Sequence, residues 1–157
     1  AQLHTNVLPF LHDMLQDAKR DNIELFIISG YRSFGEQSAV KGNYVIRYGA
    51  GTANSFSAEQ GYSEHQLGTT IDFTTNGLNG KLDGFQNTPD YKWLIDNAYK
   101  YGFVLSYPQN NNYYVFEPWH WRFVGKRLAK LLDEENIYFY NVPQREIDEY
   151  LINIFDK

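Results

Sequence analysis

Two short segments of the chain carry side chains that could together bind a metal ion. The first segment contains His65 and Asp72, and the second contains Glu117 and His120. A catalytic zinc site needs three neutral or anionic protein ligands, an open position for water and a base beside that water. His65, Asp72 and His120 would supply the three ligands, and Glu117 would supply the base.

The spacing of these residues does not by itself require a metal. Partly buried, hydrogen-bonded histidines and carboxylates that cap turns are common in proteins. Three features favour a metal site over that alternative. All four residues are expected at strand–turn junctions, where sites are often assembled. Each segment also contains a turn former, Gly68 or Pro118, and an unpaired charge in the apolar stretch around Trp119 would be costly.

The composition indicates one globular domain and excludes several functions. The chain has 157 residues, 43% of them hydrophobic and 21% charged, which is enough to bury a core. A net charge of −5 without a Lys/Arg-rich run argues against nucleic acid as a partner. The absence of cysteine excludes thiol catalysis, thiolate ligands and disulfides. The surplus of aromatic residues, including 13 Tyr, suits a cleft with apolar walls.

The sequence also sets expectations about the membrane and about assembly. No apolar run approaches the roughly 20 residues that span a bilayer, so we expect no transmembrane segment. The chain begins at Ala1 without a signal-like apolar region. We therefore expect a trimmed or mature domain whose anchor, where one exists, lies upstream, and we expect a monomer.

Helix periodicity and turn signals predict the elements that position the first half of the site. Apolar spacing predicts a helix over residues 7–21. Glu24–Ser29 reads as a short buried strand. Ser33 and Glu36 match a capping box, so a second helix is expected to start at Ser33. This arrangement places Arg32 in the turn between the strand and the helix.

The remaining pattern completes an α+β fold. A long loop over residues 49–62, rich in Gly, Ala, Ser and Asn, is expected to form a cleft wall. The other predicted elements are a strand over 69–74, a helix that opens at Thr88–Pro89 and ends at Gly102, strands over 103–105 and 113–116, a helix around 128–132 and a last helix after Pro143. We predict a small, mainly antiparallel sheet flanked by helices, in a single domain spanning 1–157.

Three stretches of the chain resemble the sequence motifs of a known family. The pattern Ser-x-His-x-x-Gly-x-Ala-x-Asp matches residues 63–72 with Thr70 in place of Ala, Glu-Pro-Trp-His-Trp-Arg is intact at 117–122, and Ser-Gly-Tyr-Arg-Ser stands at 29–33. In these motifs the chain resembles the VanY-type zinc-dependent D-alanyl-D-alanine and L,D-carboxypeptidases, which trim peptidoglycan stem peptides. The resemblance covers roughly the whole domain.

The resemblance implies a fold, a cofactor and residue roles. The fold would be the α+β fold shared by these DD-peptidases and the Hedgehog signalling domain. Zinc would be held by His65, Asp72 and His120, and its bound water would attack the peptide carbonyl with Glu117 as the base. Arg32 would stabilise the oxyanion that develops on that carbonyl. Without the resemblance, Arg32 could equally form a surface ion pair.

A carboxypeptidase must also bind the free end of its substrate. Ser63 and Gln37 are candidate polar contacts, and Trp119 and Tyr107 could shape the wall against the terminal residue. Both aromatic residues could instead belong to the core, and Gln37 could be an exposed helix residue.

Three functions remain open from the sequence. The favoured function is removal of a terminal D-amino acid, expected to be D-alanine, from a peptidoglycan stem peptide, with L,D or D,D specificity undecided. The second is a peptidoglycan endopeptidase of the same superfamily. The third is a non-catalytic, zinc-containing cell-wall binding module, which would need neither Glu117 nor Arg32. Each of these functions implies a location outside the cytoplasm, in the cell wall or periplasm.

Overall fold

A computed structural model describes residues 2–48, 58 and 61–156 of the chain. Within these residues, five helices surround one four-stranded sheet, which confirms the predicted α+β class. The helices are α1 (Leu8–Arg20), α2 (Phe34–Tyr48), α3 (Pro89–Asn97), α4 (Lys126–Glu134) and α5 (Gln144–Leu151). The strands are β1 (Phe26–Ser29), β2 (Thr70–Thr74), β3 (Phe103–Leu105) and β4 (His120–Phe123). Most of the predicted loop over residues 49–62 lies outside the described residues.

The sheet has the strand order β1-β2-β4-β3, and every neighbouring pair is antiparallel. Strands β2 and β4 therefore lie in the centre, although the 45 residues between Thr74 and His120, which include α3 and β3, separate them in the chain. Their register pairs Asp72 with His120. The sheet thereby brings the two sequence segments with metal-binding potential side by side.

Alternation along the central strands separates the core from the opposite face of the sheet. Ile71 and Phe73 of β2 and Trp121 and Phe123 of β4 are buried in one cluster. The amphipathic helix α1 packs its apolar residues, among them Met14, into the same cluster. Asp72 and His120 occupy the alternate positions of these two strands and therefore face the other side of the sheet, away from this core.

Local capping signals correctly predict where two helices begin. The backbone N–H of Ser33 donates to Glu36 Oε2 at 2.8 Å, and the backbone N–H of Glu36 donates to Ser33 Oγ at 3.3 Å. This reciprocal pair is the predicted capping box before α2. Thr88 caps α3, since its hydroxyl accepts from the Tyr91 backbone N–H at 3.2 Å. Gly102 ends the helical segment after α3 with a φ of 86°, which favours glycine.

The predicted strand over residues 113–116 is wrong. Asn111 Oδ1 accepts hydrogen bonds from the backbone N–H groups of Tyr113 and Tyr114, at 3.0 and 2.7 Å, and so holds this segment in a turn. The strand that pairs with β3 is β4, which begins at His120. Aromatic and β-branched residues indicate burial more than strand pairing, and a side chain of Asn can compete with the sheet for backbone donors.

The predicted burial of the first strand is also wrong. Strand β1 begins at Phe26 and forms one edge of the sheet. Phe26 and Ile28 are 42% and 44% exposed. A short apolar run cannot show by itself whether one or both faces of a strand are covered.

Among the described residues, no helix is both long and apolar enough to cross a membrane.

Candidate active site

Three secondary-structure elements position the predicted metal ligands. His65 lies in a single helical turn, Glu64–Leu67, which ends at Gly68 with a φ of 70° and leads into β2. Asp72 is the middle residue of β2, and His120 is the first residue of β4. The expectation that all four site residues lie at strand–turn junctions is therefore wrong for Asp72. The sheet register, which pairs Asp72 with His120, brings them together instead.

The three side chains converge in a buried cluster. Asp72 Oδ2 lies 3.3 Å from His65 Nε2, and Asp72 Oδ1 lies 3.3 Å from His120 Nδ1. The two imidazole rings stand edge to face, with centroids 4.9 Å apart. One possible ligand atom from each residue lies within 4.8 Å of the others. This geometry is compact enough for all three to bind one ion.

Two of these atoms lack a hydrogen bond within the described part of the chain. His65 Nε2 and Asp72 Oδ1 are buried, yet their short contacts in the cluster do not have hydrogen-bond geometry. Leaving a buried polar atom without a partner costs about 1–3 kcal/mol. The nitrogen and oxygen lone pairs would be satisfied by a cation placed between them. The residues therefore fit a metal ion.

The hydrogen bonds on the far side of each imidazole orient the rings for metal binding. His65 Nδ1 lies 2.6 Å from the carbonyl oxygen of Gly30, and His120 Nε2 lies 2.9 Å from Glu64 Oε2. A carbonyl or a carboxylate oxygen can only accept, so each of these nitrogens must donate. In the neutral ring the opposite nitrogen then presents its lone pair to the cluster. Metal-binding histidines commonly have this arrangement.

The electrostatics of the cluster also favour a cation. Burial alone would lower the pKa of His120, but the nearby carboxylates of Asp72 and Glu64 outweigh it and raise the pKa to about 10. Burial would likewise raise the pKa of Asp72, but its contacts with the two histidines hold that pKa well below the usual range. Without a metal, the carboxylates therefore retain a proton on His120. A divalent cation would compete for the same position.

Glu117 lies beside the three candidate ligands in the turn before β4. Its Oε2 is 3.4 Å from His120 Nδ1, on the side of the ring that faces the cluster. Burial raises the pKa of Glu117 to about 7, even though the charge of His120 opposes this shift. A carboxylate with a pKa near neutrality is suited to accept and return a proton at physiological pH.

Arg32 reaches the same cluster from the turn after β1. Its Nη2 is 3.8 Å from Asp72 Oδ2, and its Nη1 donates to Gln37 Oε1 at 3.0 Å. Gln37 is only 1% exposed and donates to the carbonyl of Ala58 at 2.8 Å. The alternatives of an exposed Gln37 and a surface ion pair for Arg32 do not agree with these contacts. Gln37 instead holds the guanidinium beside the candidate metal ligands.

The other predicted substrate contacts occupy different environments. The Tyr107 ring lies 4.7 Å from the His120 ring and 4.5 Å from that of Tyr114, so it forms an aromatic wall next to the ligands. Trp119 is partly buried and packs against the main core, which agrees with the alternative that this residue belongs to the core. Ser63 is buried immediately before the helical turn that carries His65.

Sequence reasoning did not assign a role to Glu64, which lies within the first motif. Glu64 is 4% exposed, and four side chains contact its carboxylate: His120, Ser106, Arg122 and Tyr140. Burial would raise the pKa of Glu64, but His120, Arg122 and Tyr140 hold it well below its usual range. The only signal in the sequence was an acidic residue next to a proposed metal ligand.

Comparison with known proteins decides the family. The sequence pattern described as "VanY: D-alanyl-D-alanine carboxypeptidase" matches residues 1–126. The chain belongs to the VanY family. The matched range includes the three candidate metal ligands, Glu117 and Arg32.

One relative of known sequence and two solved structures are similar to most of this chain. YodJ of Bacillus subtilis (strain 168), whose carboxypeptidase activity is itself inferred, is 40% identical over 85% of this chain. The structure of the LD-carboxypeptidase LdcB, described as revealing the basis of peptidoglycan recognition, superposes with a TM-score of 0.80 at 35% identity, covering 96% of this chain and 68% of that one. A mutant of the D,D-pentapeptidase VanY in complex with Zn(II) superposes with a TM-score of 0.75 at 28% identity, covering 95% and 83%. The chain spans about half the length of YodJ, 52%.

Proposed function

We propose that this chain is a zinc-dependent carboxypeptidase that removes a terminal D-amino acid, expected to be D-alanine, from peptidoglycan stem peptides. The observation that carries the proposal is the buried cluster of His65, Asp72 and His120, with two unsatisfied ligand atoms and Glu117 beside it. Membership of the VanY family supports the reaction, and the Zn(II) complex of a related VanY supports the metal.

The donor set of the cluster is suited to zinc. Zinc prefers imidazole nitrogen and carboxylate oxygen ligands, and a catalytic site has three of them with one position left open. Zinc bound here would polarise the scissile carbonyl and lower the pKa of a bound water to about 7. The protein must then move protons and stabilise charge around that position.

Glu117 and Arg32 would perform these two tasks. Glu117, with a pKa raised by burial to about 7, would take a proton from the attacking water and pass it to the leaving amine. The Arg32 guanidinium, fixed by Gln37, presents charged donors on the same side of the cluster as Asp72. A fixed cation placed before the reaction stabilises the negative charge that develops on the carbonyl oxygen.

The surroundings of the cluster would bind the end of the substrate. We propose Ser63 and Tyr107 as contacts to the terminal residue, because Ser63 immediately precedes the helical turn that carries His65 and the Tyr107 ring lies beside that of His120. Gln37 would contribute mainly by orienting Arg32, and Trp119 by shaping the turn that carries Glu117. Because peptidoglycan is the proposed substrate, we also propose that the chain acts outside the cytoplasm.

Mass spectrometry of purified peptidoglycan tetrapeptides and pentapeptides would test this function. The zinc-loaded protein is incubated with each peptide, alongside a chelator-treated sample and the Glu117→Gln variant. Zinc-dependent loss of one alanine from the tetrapeptide would establish L,D specificity, and loss from the pentapeptide alone would establish D,D specificity. Two larger fragments would instead identify an endopeptidase. No zinc-dependent product from either peptide would refute the proposal.

A further inference from the structure

The carboxylate of Glu64 lies directly behind one of the candidate metal ligands. Glu64 Oε2 contacts His120 Nε2 at 2.9 Å, whereas Nδ1 of the same ring points toward Asp72 and Glu117. Because the carboxylate only accepts, its hydrogen bond keeps the proton on Nε2 and leaves the Nδ1 lone pair for the metal. Glu64 can therefore fix both the tautomer and the rotation of the His120 ring.

Four donors from different parts of the chain hold this carboxylate. Oε2 accepts from Ser106 Oγ at 2.7 Å as well as from His120. Oε1 accepts from Arg122 Nη1 at 3.0 Å and from the hydroxyl of Tyr140. Each oxygen thus has two donors, so the carboxylate has little freedom to turn. The charge of Arg122 also offsets that of Glu64 at this buried position.

The Tyr140 contact connects the metal site to a part of the chain beyond the family match. Tyr140 lies in a single helical turn, Phe139–Asn141, whereas the matched range ends at residue 126. The same turn supports Arg122, since the guanidinium lies 4.4 Å from the centre of the Phe139 ring. The Tyr107 ring lies between those of His120 and Tyr140, with centroid distances of 4.7 and 6.1 Å. This turn therefore supports His120 indirectly in two ways, through hydrogen bonds to Glu64 and through packing against the Tyr107 ring.

We infer that Glu64 and Tyr140 are positioning residues, which hold His120 in its metal-binding orientation although neither is a ligand. This inference rests on the proposed metal site and adds to it a role for the segment after α4. Hydrogen-bond partners behind metal-binding histidines commonly change metal affinity by 10–100-fold when they are removed.

Two conservative variants test this inference. Glu64→Gln keeps the shape of the side chain but replaces one carboxylate oxygen by an amide nitrogen. This nitrogen cannot accept a hydrogen bond, and at either position it would face two donors. Tyr140→Phe keeps the ring and removes only the hydroxyl. Tyr138→Phe is the matched control, because it makes the same chemical change in an exposed residue two positions away.

Zinc affinity, measured by competition with a chromophoric chelator, is the main readout. We expect Glu64→Gln to weaken zinc binding by about 10–100-fold and Tyr140→Phe by up to about tenfold, with no change in Tyr138→Phe. The visible spectrum of the cobalt-substituted protein should change in Glu64→Gln, because it reports ligand geometry. Thermal melting of the metal-free proteins separates this effect from a general loss of stability.

The inference is wrong if both variants bind zinc within about twofold of the wild type and keep its cobalt spectrum, even if they melt at a lower temperature. If Glu64→Gln does not fold, Tyr140→Phe together with Ser106→Ala decides the question, since each removes a single hydrogen bond to Glu64. Failure of the wild-type protein to bind one zinc ion would instead refute the metal site itself, and with it this inference.

Discussion

Replacing Glu117 by Gln should abolish most turnover and leave the metal site intact. Glu117 lies 3.4 Å from His120 Nδ1 but does not belong to the cluster of three ligands. The amide has nearly the same shape as the carboxylate and cannot accept a proton from water. We therefore expect zinc binding and folding to be retained, while proton transfer in the peptide-cleavage step is lost.

The size of the loss follows from the role of a general base. Such a group contributes about 10²–10⁴-fold to the rate, which corresponds to about 3–5 kcal/mol of barrier. The pKa of about 7 also predicts the pH profile. Only the ionised form is active, so at pH 6 about a tenth of Glu117 would be available. A bound cation lowers the pKa of Glu117, so this tenfold fall in kcat/KM at pH 6 is an upper limit.

The assay is release of D-alanine from a stem peptide, followed by kcat and KM from pH 5 to 9, with the zinc content of each sample determined. Glu149→Gln is the matched control, because it makes the same change at an exposed carboxylate on α5. The reasoning would be refuted if Glu117→Gln kept more than about a tenth of the wild-type kcat with full zinc occupancy. Loss of zinc in this variant would show that Glu117 is a ligand rather than the base.

Three further predictions concern the metal and the fold. Asp72→Asn should lower zinc affinity by more than about 100-fold, because loss of a ligand should weaken binding more than loss of a hydrogen-bond partner behind a ligand. Elemental analysis after dialysis should find metal-free protein. Stoichiometric zinc in this variant would contradict the assignment of Asp72 as a ligand. Ser33→Ala should lower the free energy of unfolding by about 1 kcal/mol through loss of the cap of α2, whereas Ser38→Ala, an exposed change within that helix, should have a smaller effect in urea denaturation. Burial and the hydrogen bond to Asp17 raise the pKa of Tyr101, so the folded protein keeps a proton that the unfolded chain releases above pH of about 10. The stability advantage of the wild type over Tyr101→Phe should therefore be complete below that pH and shrink as the pH rises further; an advantage that grows would contradict this sign.

The sequence by itself determined the features that depend on residues close together in the chain. The capping box of Ser33 and Glu36 joins residues three apart, and it correctly predicts the start of α2. The motifs around His65 and His120 indicated the ligand types, since the choice of imidazole and carboxylate groups is a property of the residues themselves. The resemblance to the VanY family then predicted the fold, because its three motifs occur in the expected order.

Only the tertiary structure decided which distant residues support the site. The register of β2 and β4 pairs Asp72 with His120, and Glu64 contacts Arg122 and Tyr140, which are 58 and 76 residues away in the chain. The same limit explains the wrong strand over residues 113–116 and the unexpected exposure of β1. Capping and periodicity act within a few residues, whereas strand pairing, burial and the partners of a buried carboxylate depend on segments that meet only in the folded chain.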